Sequence, residues 1–216
     1  KIPIFIQEQN SYAGVTNKLM SAKASKIFVA FSGMEIYFEK SKIMLSGNPV
    51  RSDFLKKVNI ADAYEKFKLD PNKTTIGVFG GSLGARTLNE AIDAHYTEIA
   101  ERKDVQIIWQ VGKLYWNEFQ THPISKLPNV RMLDFIDRMD MAYAVCDLCV
   151  ARAGAITLSE LAVTQTIAIL VPSPNVAEDH QRKNAEAMVR EEAAWMILDS
   201  EAKTKLWNTI QNLMMD

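Results

Sequence analysis

The chain has 216 residues, 48% hydrophobic and 24% charged, which is the make-up of a globular protein long enough to close a core without disulfide or metal staples. Its formal net charge is −1 with both signs interspersed, so nucleic acid is not an expected partner and no like-charge tail is present. No apolar run approaches the roughly 20 residues of a membrane span, and Ile2–Ile6 is too short for a secretory core.

The first elements are a strand at Ile2–Ile6, a helix at Gly14–Ala24 and strands at Lys26–Phe31 and Ile43–Ser46, closed by a Gly47-Asn48-Pro49 turn. Three strands and one helix are too few for a domain with its own closed core. Residues 1–48 are therefore expected to be the remnant of a preceding domain, with Gly47–Arg51 as the linker. Residues 49–216 form the second unit. Its predicted strands are Thr75–Phe79, Val105–Val111, Val130–Leu133, Leu148–Ala151, Ile167–Val171 and Ala194–Leu198. Helical patterns around Ala85–Ala100, Met139–Val145, Leu158–Thr164 and Gln181–Glu191 lie between them, and Lys203–Met214 closes the chain. Strands alternating with helices predict βαβ units, so the fold class is α/β with a Rossmann-like parallel sheet. Cys146 and Cys149 run from a helix end into a strand rather than sitting at a helix N-terminus that would stabilise a thiolate. Two buried structural thiols in a reducing cytoplasm are expected.

Three segments carry candidate chemistry. Phe79-Gly80-Gly81-Ser82-Leu83-Gly84-Ala85-Arg86 follows a strand and opens a helix. Its glycines would let backbone N–H groups approach a phosphate at the helix start; a tight turn without a ligand is the alternative. It is neither a Walker A loop nor G-x-G-x-x-G. Ala151-Arg152-Ala153-Gly154-Ala155-Ile156-Thr157-Leu158-Ser159-Glu160 repeats the strand, glycine turn and helix. There Thr157 and Glu160 fit a capping box, or Glu160 accepts from ribose hydroxyls. Asp179-His180-Gln181-Arg182-Lys183-Asn184 follows a strand-end loop, with Asp179 either an N-cap or part of a ligand loop. Arg51 follows the hinge and is either an exposed linker arginine or an anion contact. The sequence has no Asp-x-Asp triplet, so neither a metal nor another cofactor is expected.

Taken in order, these segments resemble the MurG family of N-acetylglucosaminyltransferases. The resemblance also rests on Glu8-Gln9-Asn10, Ala13–Asn17, Gly47–Arg51, Asn89 and Phe135-Ile136-Asp137-Arg138-Met139. It implies a GT-B architecture, two Rossmann-like domains across a cleft, with the UDP-N-acetylglucosamine donor in the C-terminal one. It places Gly81, Ser82 and Arg51 at the diphosphate, and Phe135 with Ile136 at the uracil. Glu160 falls at the ribose, Ala155, Ile156 and Thr157 at the phosphate and sugar, and His180 and Gln181 at the sugar hydroxyls. Asn10 falls on the acceptor side.

The implied reaction is a metal-independent, inverting transfer to undecaprenyl-linked N-acetylmuramoyl-pentapeptide, lipid I to lipid II. Gln7 stands where many members have His. The family's Gly-Gly-Thr-Gly-Gly-His loop is absent, so the general base has no candidate here and the isolated chain is expected to bind donor without turnover. In the full-length protein the resemblance implies a cytoplasmic enzyme peripheral to the inner face of the cell membrane. A UDP-N-acetylglucosamine 2-epimerase of the same plan and a non-catalytic nucleotide-sugar-binding module are the other readings. A nicotinamide dehydrogenase is disfavoured, because G-x-G-x-x-G and its downstream acid are both missing.

Overall fold

The protein was analysed as a computed structural model describing residues 2–214. Its first sheet is formed by β1 (Phe5–Glu8), β2 (Lys26–Val29) and β3 (Ile43–Leu45), all parallel, with α1 (Val15–Ser21) between the first two strands. The first strand begins later than its apolar run predicts, because pairing starts with Phe5 opposite Lys26 and Pro3 has no N–H to give a ladder. One face of this sheet carries a small core of Ile6, Ile27 and Val29 with Ala13, Ala24, Met34 and Phe38. On the other face Phe5 and Met44 are exposed.

The chain then runs through α2 (Ile60–Phe67), β4 (Thr74–Phe79), α3 (Arg86–Asp93), α4 (Tyr96–Glu101), β5 (Val105–Gln110), α5 (Trp116–Phe119) and β6 (Val130–Leu133). It continues with α6 (Met139–Ala144), β7 (Leu148–Ala151), α7 (Ala155–Thr164), β8 (Ala168–Leu170), α8 (His180–Arg190), β9 (Trp195–Met196) and α9 (Ala202–Leu213). These six strands form one sheet in the order β6-β5-β4-β7-β8-β9, every pair parallel. That is the doubly wound Rossmann order, with its reversal at β4.

Alternation along the strands feeds two cores. Ile76, Val78, Ile107, Trp109, Val150 and Ile169 meet Leu88 and Ile92 of α3 and Leu206, Trp207 and Ile210 of α9. Ile108, Cys149 and Leu170 face the opposite way, onto Ala63 and Phe67 of α2, Met141 of α6 and Leu158 and Leu161 of α7. Both faces of the central strands are thus covered, as an all-parallel sheet requires.

Three local expectations are corrected. The helix predicted over Ala85–Ala100 is two helices, α3 and α4. His95 is the N-cap of the second and stacks on Trp207, ring centroids 6.2 Å apart. Of the two thiols only Cys149 is buried, while Cys146 is half-buried. Burial pushes the Cys149 thiol well above its ordinary range. Helix α2, capped by Asn59 accepting from the Ala61 N–H at 3.1 Å, lies where the sequence pattern named no element.

Candidate functional site

The Gly80–Ala85 turn joins β4 to α3, and two of its glycines differ sharply in what they allow. Gly84 has φ +87°, and a Cβ there would stand 2.1 Å from the Val111 carbonyl oxygen. Gly112 on the facing loop also has φ +87°, and a Cβ on it would stand 2.1 Å from the Gly84 nitrogen. Gly81, φ +86°, faces open space. The turn is therefore pressed against the β5–α5 loop on one side and open on the other. Ala85 caps α3 without a side-chain hydrogen bond, leaving the helix's first N–H groups for another partner. Asn89 is internal: its Nδ2 donates to the Val111 carbonyl at 2.9 Å and its Oδ1 accepts from Trp109 Nε1 at 3.0 Å.

On that open side lies a pocket of about 210 Å³. It is lined by Arg51, Gly81, Ser82, Phe135, Ile136, Thr157 and Glu160, all given roles from sequence, by Phe79 and Met139, which the motifs contain without a role, and by Gln110 and Tyr143, which sequence reasoning did not name. Apart from Arg51, the lining comes from the last residues of β4 and β5 and from the segments that follow β4, β6 and β7, so the pocket sits at the carboxyl ends of the strands, where open α/β sheets hold their ligands.

Gln110 is the part that sequence reasoning missed. Its Oε1 accepts from the Ile136 N–H at 2.7 Å and its Nε2 donates to the Gly81 carbonyl at 2.8 Å. One buried amide thus ties the glycine turn to the Phe135–Ile136 segment. The signal was present, since a glutamine inside a strand buried at every position must find partners. Ile136 is buried, while the Phe135 ring is 44% exposed and carries the Lys113 ammonium 5.2 Å from its centroid.

Glu160 stands half-buried on α7, and Tyr143 donates to its Oε2 at 3.5 Å. Burial raises the Glu160 carboxyl above its ordinary range, opposed by the positive charge of Arg51 and by the Tyr143 hydroxyl. Burial likewise pushes the Tyr143 phenol well above its usual value. The capping-box reading fails here. The N-cap of α7 is Gly154, so Thr157 is the third residue of the helix and makes no cap. Glu160 lies a further turn along, where it cannot fold back onto the helix start. Arg51 extends over the Phe54 ring, 5.3 Å from its centroid, and donates to the Asp137 carbonyl at 3.3 Å.

The remaining predicted residues lie outside this pocket. Ala155 and Ile156 are in the first turn of α7, where the Ala155 carbonyl accepts from Asn48 Nδ2 at 3.4 Å. Asn10 lines a separate cleft of about 400 Å³ beside Gln7, Asn17 and Glu178. Gln181 accepts from the Ser173 N–H at 2.9 Å, and His180 Nδ1 lies 2.7 Å from the Ala177 carbonyl. Asp179 does occupy the N-cap of α8, but in a left-handed conformation and without a side-chain cap. Arg152 pairs with Asp199 and donates to the Val171 carbonyl at 3.0 Å. Among the described residues no cluster of three or more His, Cys, Asp or Glu side chains could hold a metal, and no helix is long and apolar enough to cross a membrane.

The doubly wound sheet, its pocket at the reversal point and a second parallel sheet packed alongside define a Rossmann-like half of the GT-B glycosyltransferase fold. Residues 75–216 match the glycosyltransferase family 28 C-terminal domain, and the chain belongs to that family. Over its full length it is 48% identical to 59% of the UDP-N-acetylglucosamine–N-acetylmuramyl-(pentapeptide) pyrophosphoryl-undecaprenol N-acetylglucosamine transferase of Bacteroides thetaiotaomicron. It is 50% identical to 59% of the protein of the same name from Parabacteroides distasonis. It also superposes over its full length on 58% of the crystal structure of Acinetobacter baumannii MurG, with a TM-score of 0.75 and 28% identity. The chain therefore spans less than two thirds of the length of these relatives.

Proposed function

We propose that this chain carries the donor half of an enzyme that transfers N-acetylglucosamine from UDP-N-acetylglucosamine to an undecaprenyl-linked N-acetylmuramoyl-pentapeptide, the lipid I to lipid II step of peptidoglycan synthesis. The observation that carries the reading is the single pocket gathering Arg51, Gly81, Ser82, Phe135, Ile136, Thr157 and Glu160 from four separate segments. Residues 1–48 belong to the acceptor-side domain and residues 49–216 to the donor domain. The whole enzyme works in the cytoplasm, peripheral to the inner face of the membrane.

In this reading the uracil lies by Phe135 and Ile136. The Ile136 amide is already held by Gln110, so the backbone group left for the base is the carbonyl. Glu160 accepts from the ribose hydroxyls and must be ionised to take both. The diphosphate lies over Gly81 and Ser82, facing the uncapped starts of α3 and α7, with Arg51 beside it. Negative charge growing on the departing UDP is met there by fixed N–H dipoles and a guanidinium, which stabilise it without a metal or any reorganisation. Inversion follows if the acceptor hydroxyl attacks from the opposite face, out of the cleft at Asn10. His180 and Gln181 take the sugar hydroxyls. The chain alone binds donor and turns nothing over.

Thermal unfolding with UDP, UDP-N-acetylglucosamine and NADH tests this. A ligand at a hundred times its Kd stabilises by about 2.7 kcal/mol. Both uridine ligands should raise the midpoint, NADH should not, and Glu160→Ala should abolish the rise. A shift with NADH alone would refute the assignment.

A further inference from the structure

Asn184 lies on α8 three residues beyond Gln181 and is fully buried against the Asn10–Ser11 segment of the first sheet's lobe. Its amide is oriented by partners that each admit one role. The Ser11 backbone N–H can only donate, and it meets Oδ1 at 2.8 Å. The Ala153 carbonyl can only accept, and it meets Nδ2 at 3.3 Å. Oxygen and nitrogen are therefore placed by backbone groups, without the ambiguity that usually attends an amide. The same Nδ2 also lies 2.9 Å from the Asn10 side chain. The Asn10 atom facing it must be an acceptor, which is Oδ1.

Asn10 is thus held from both ends. Glu8 is buried and accepts from the Asn10 backbone N–H at 3.1 Å, while its other oxygen takes the Gly14 N–H at 2.9 Å and Asn17 Nδ2 at 2.8 Å. The side-chain carbonyl of Asn10 is turned to Asn184, leaving its NH2 for the cleft that Asn10 shares with Glu178.

We propose that Asn184 is a positioning residue: by consuming the Asn10 carbonyl it makes Asn10 present a hydrogen-bond donor to the cleft. The ligand atom opposite Asn10 is then an oxygen with a free lone pair, carbonyl, phosphoryl or hydroxyl, and not an ammonium or an N–H. Asn10 does not receive the proton of an attacking hydroxyl. This deepens the proposed transfer and rests on that reading only for which ligand enters the cleft; the amide orientation stands independently.

Side-chain amide NMR of the asparagine-labelled chain reads the orientation directly. The Asn184 carboxamide protons should exchange at least about tenfold more slowly than those of Asn10, since only the former are buried and bonded. A through-hydrogen-bond coupling should run from Asn184 Nδ2 to the Asn10 carbonyl carbon. Protected Asn10 protons coupled to the Asn184 carbonyl would overturn the assignment. Asn10→Asp keeps an acceptor in place, so Asn184 should stay protected; loss of that protection would count equally against the proposal. Titrating the wild-type chain with UDP-N-acetylglucosamine tests the donor reading separately. Failure to bind there, with Asn184 still protected and coupled as stated, would refute the transfer function and support the orientation.

Discussion

Replacing Gln110 by methionine keeps the size of the side chain but removes both of its hydrogen bonds. The buried Ile136 N–H loses its side-chain partner, while the Gly81 carbonyl loses one donor and keeps the Gly84 N–H at 3.0 Å. Leaving a buried polar group unpaired costs about 1–3 kcal/mol, and the stranded Ile136 N–H sets that cost. At about 2.1 cal/mol/K per residue, 216 residues give an unfolding entropy near 0.45 kcal/mol/K, so the midpoint should fall by about 2–7 °C. The same substitution uncouples the Gly81 turn from the Phe135–Ile136 segment. The stabilisation by saturating UDP, about 2.7 kcal/mol or about 6 °C in the wild-type chain, should be lost with it. Scanning calorimetry of both proteins, with and without UDP, measures the two effects. A fall below about 2 °C with the UDP shift intact would refute the idea that Gln110 builds the pocket.

Other outcomes follow from the same geometry. Gly84→Ala should cost more than about 3 kcal/mol, because left-handed strain is joined by a collision with Val111, whereas Gly81→Ala should cost only about 1–2 kcal/mol; denaturant titration separates them. Because burial raises the Glu160 carboxyl above its usual 4.5, the folded state holds its proton more tightly. Glu160 thus favours the fold below the unfolded value and loses that contribution as pH rises through the raised one. Glu160→Gln should flatten this segment of the stability curve, and UDP affinity in the wild type should weaken on acidification through the same window, as calorimetry would show. EDTA should leave the UDP-dependent midpoint shift unchanged, since Arg51 and backbone dipoles supply the positive field; a shift that disappears with chelation would contradict this.

The sheet was legible because its strands are short apolar runs bounded by turns, and the β4–α3 glycine turn was legible because closely approaching backbones need glycine. The break between α3 and α4 was not. Leu88, Ala91, Ile92 and Ile99 are all buried and keep one apolar face through it, so the pattern shows no interruption. Thr157-x-x-Glu160 misled for a related reason. A Gly154 N-cap starts the helix earlier than the polar pair signals. Gln110 and Tyr143 stayed hidden because β5 and α6 each carry another buried polar residue, Gln106 and Asp140, and only the meeting of segments shows which of them faces the pocket.

The interlock of Gly84 and Gly112 constrains motion. With no room for even a methyl group between them, the β4–α3 and β5–α5 loops must travel as one rigid piece. The pocket therefore has one fixed wall on the side of that turn. Between the lobes, Asn48 acts as a tie, its single Nδ2 reaching the Gln9 carbonyl at 3.0 Å on one side and Ser159 Oγ at 3.2 Å on the other.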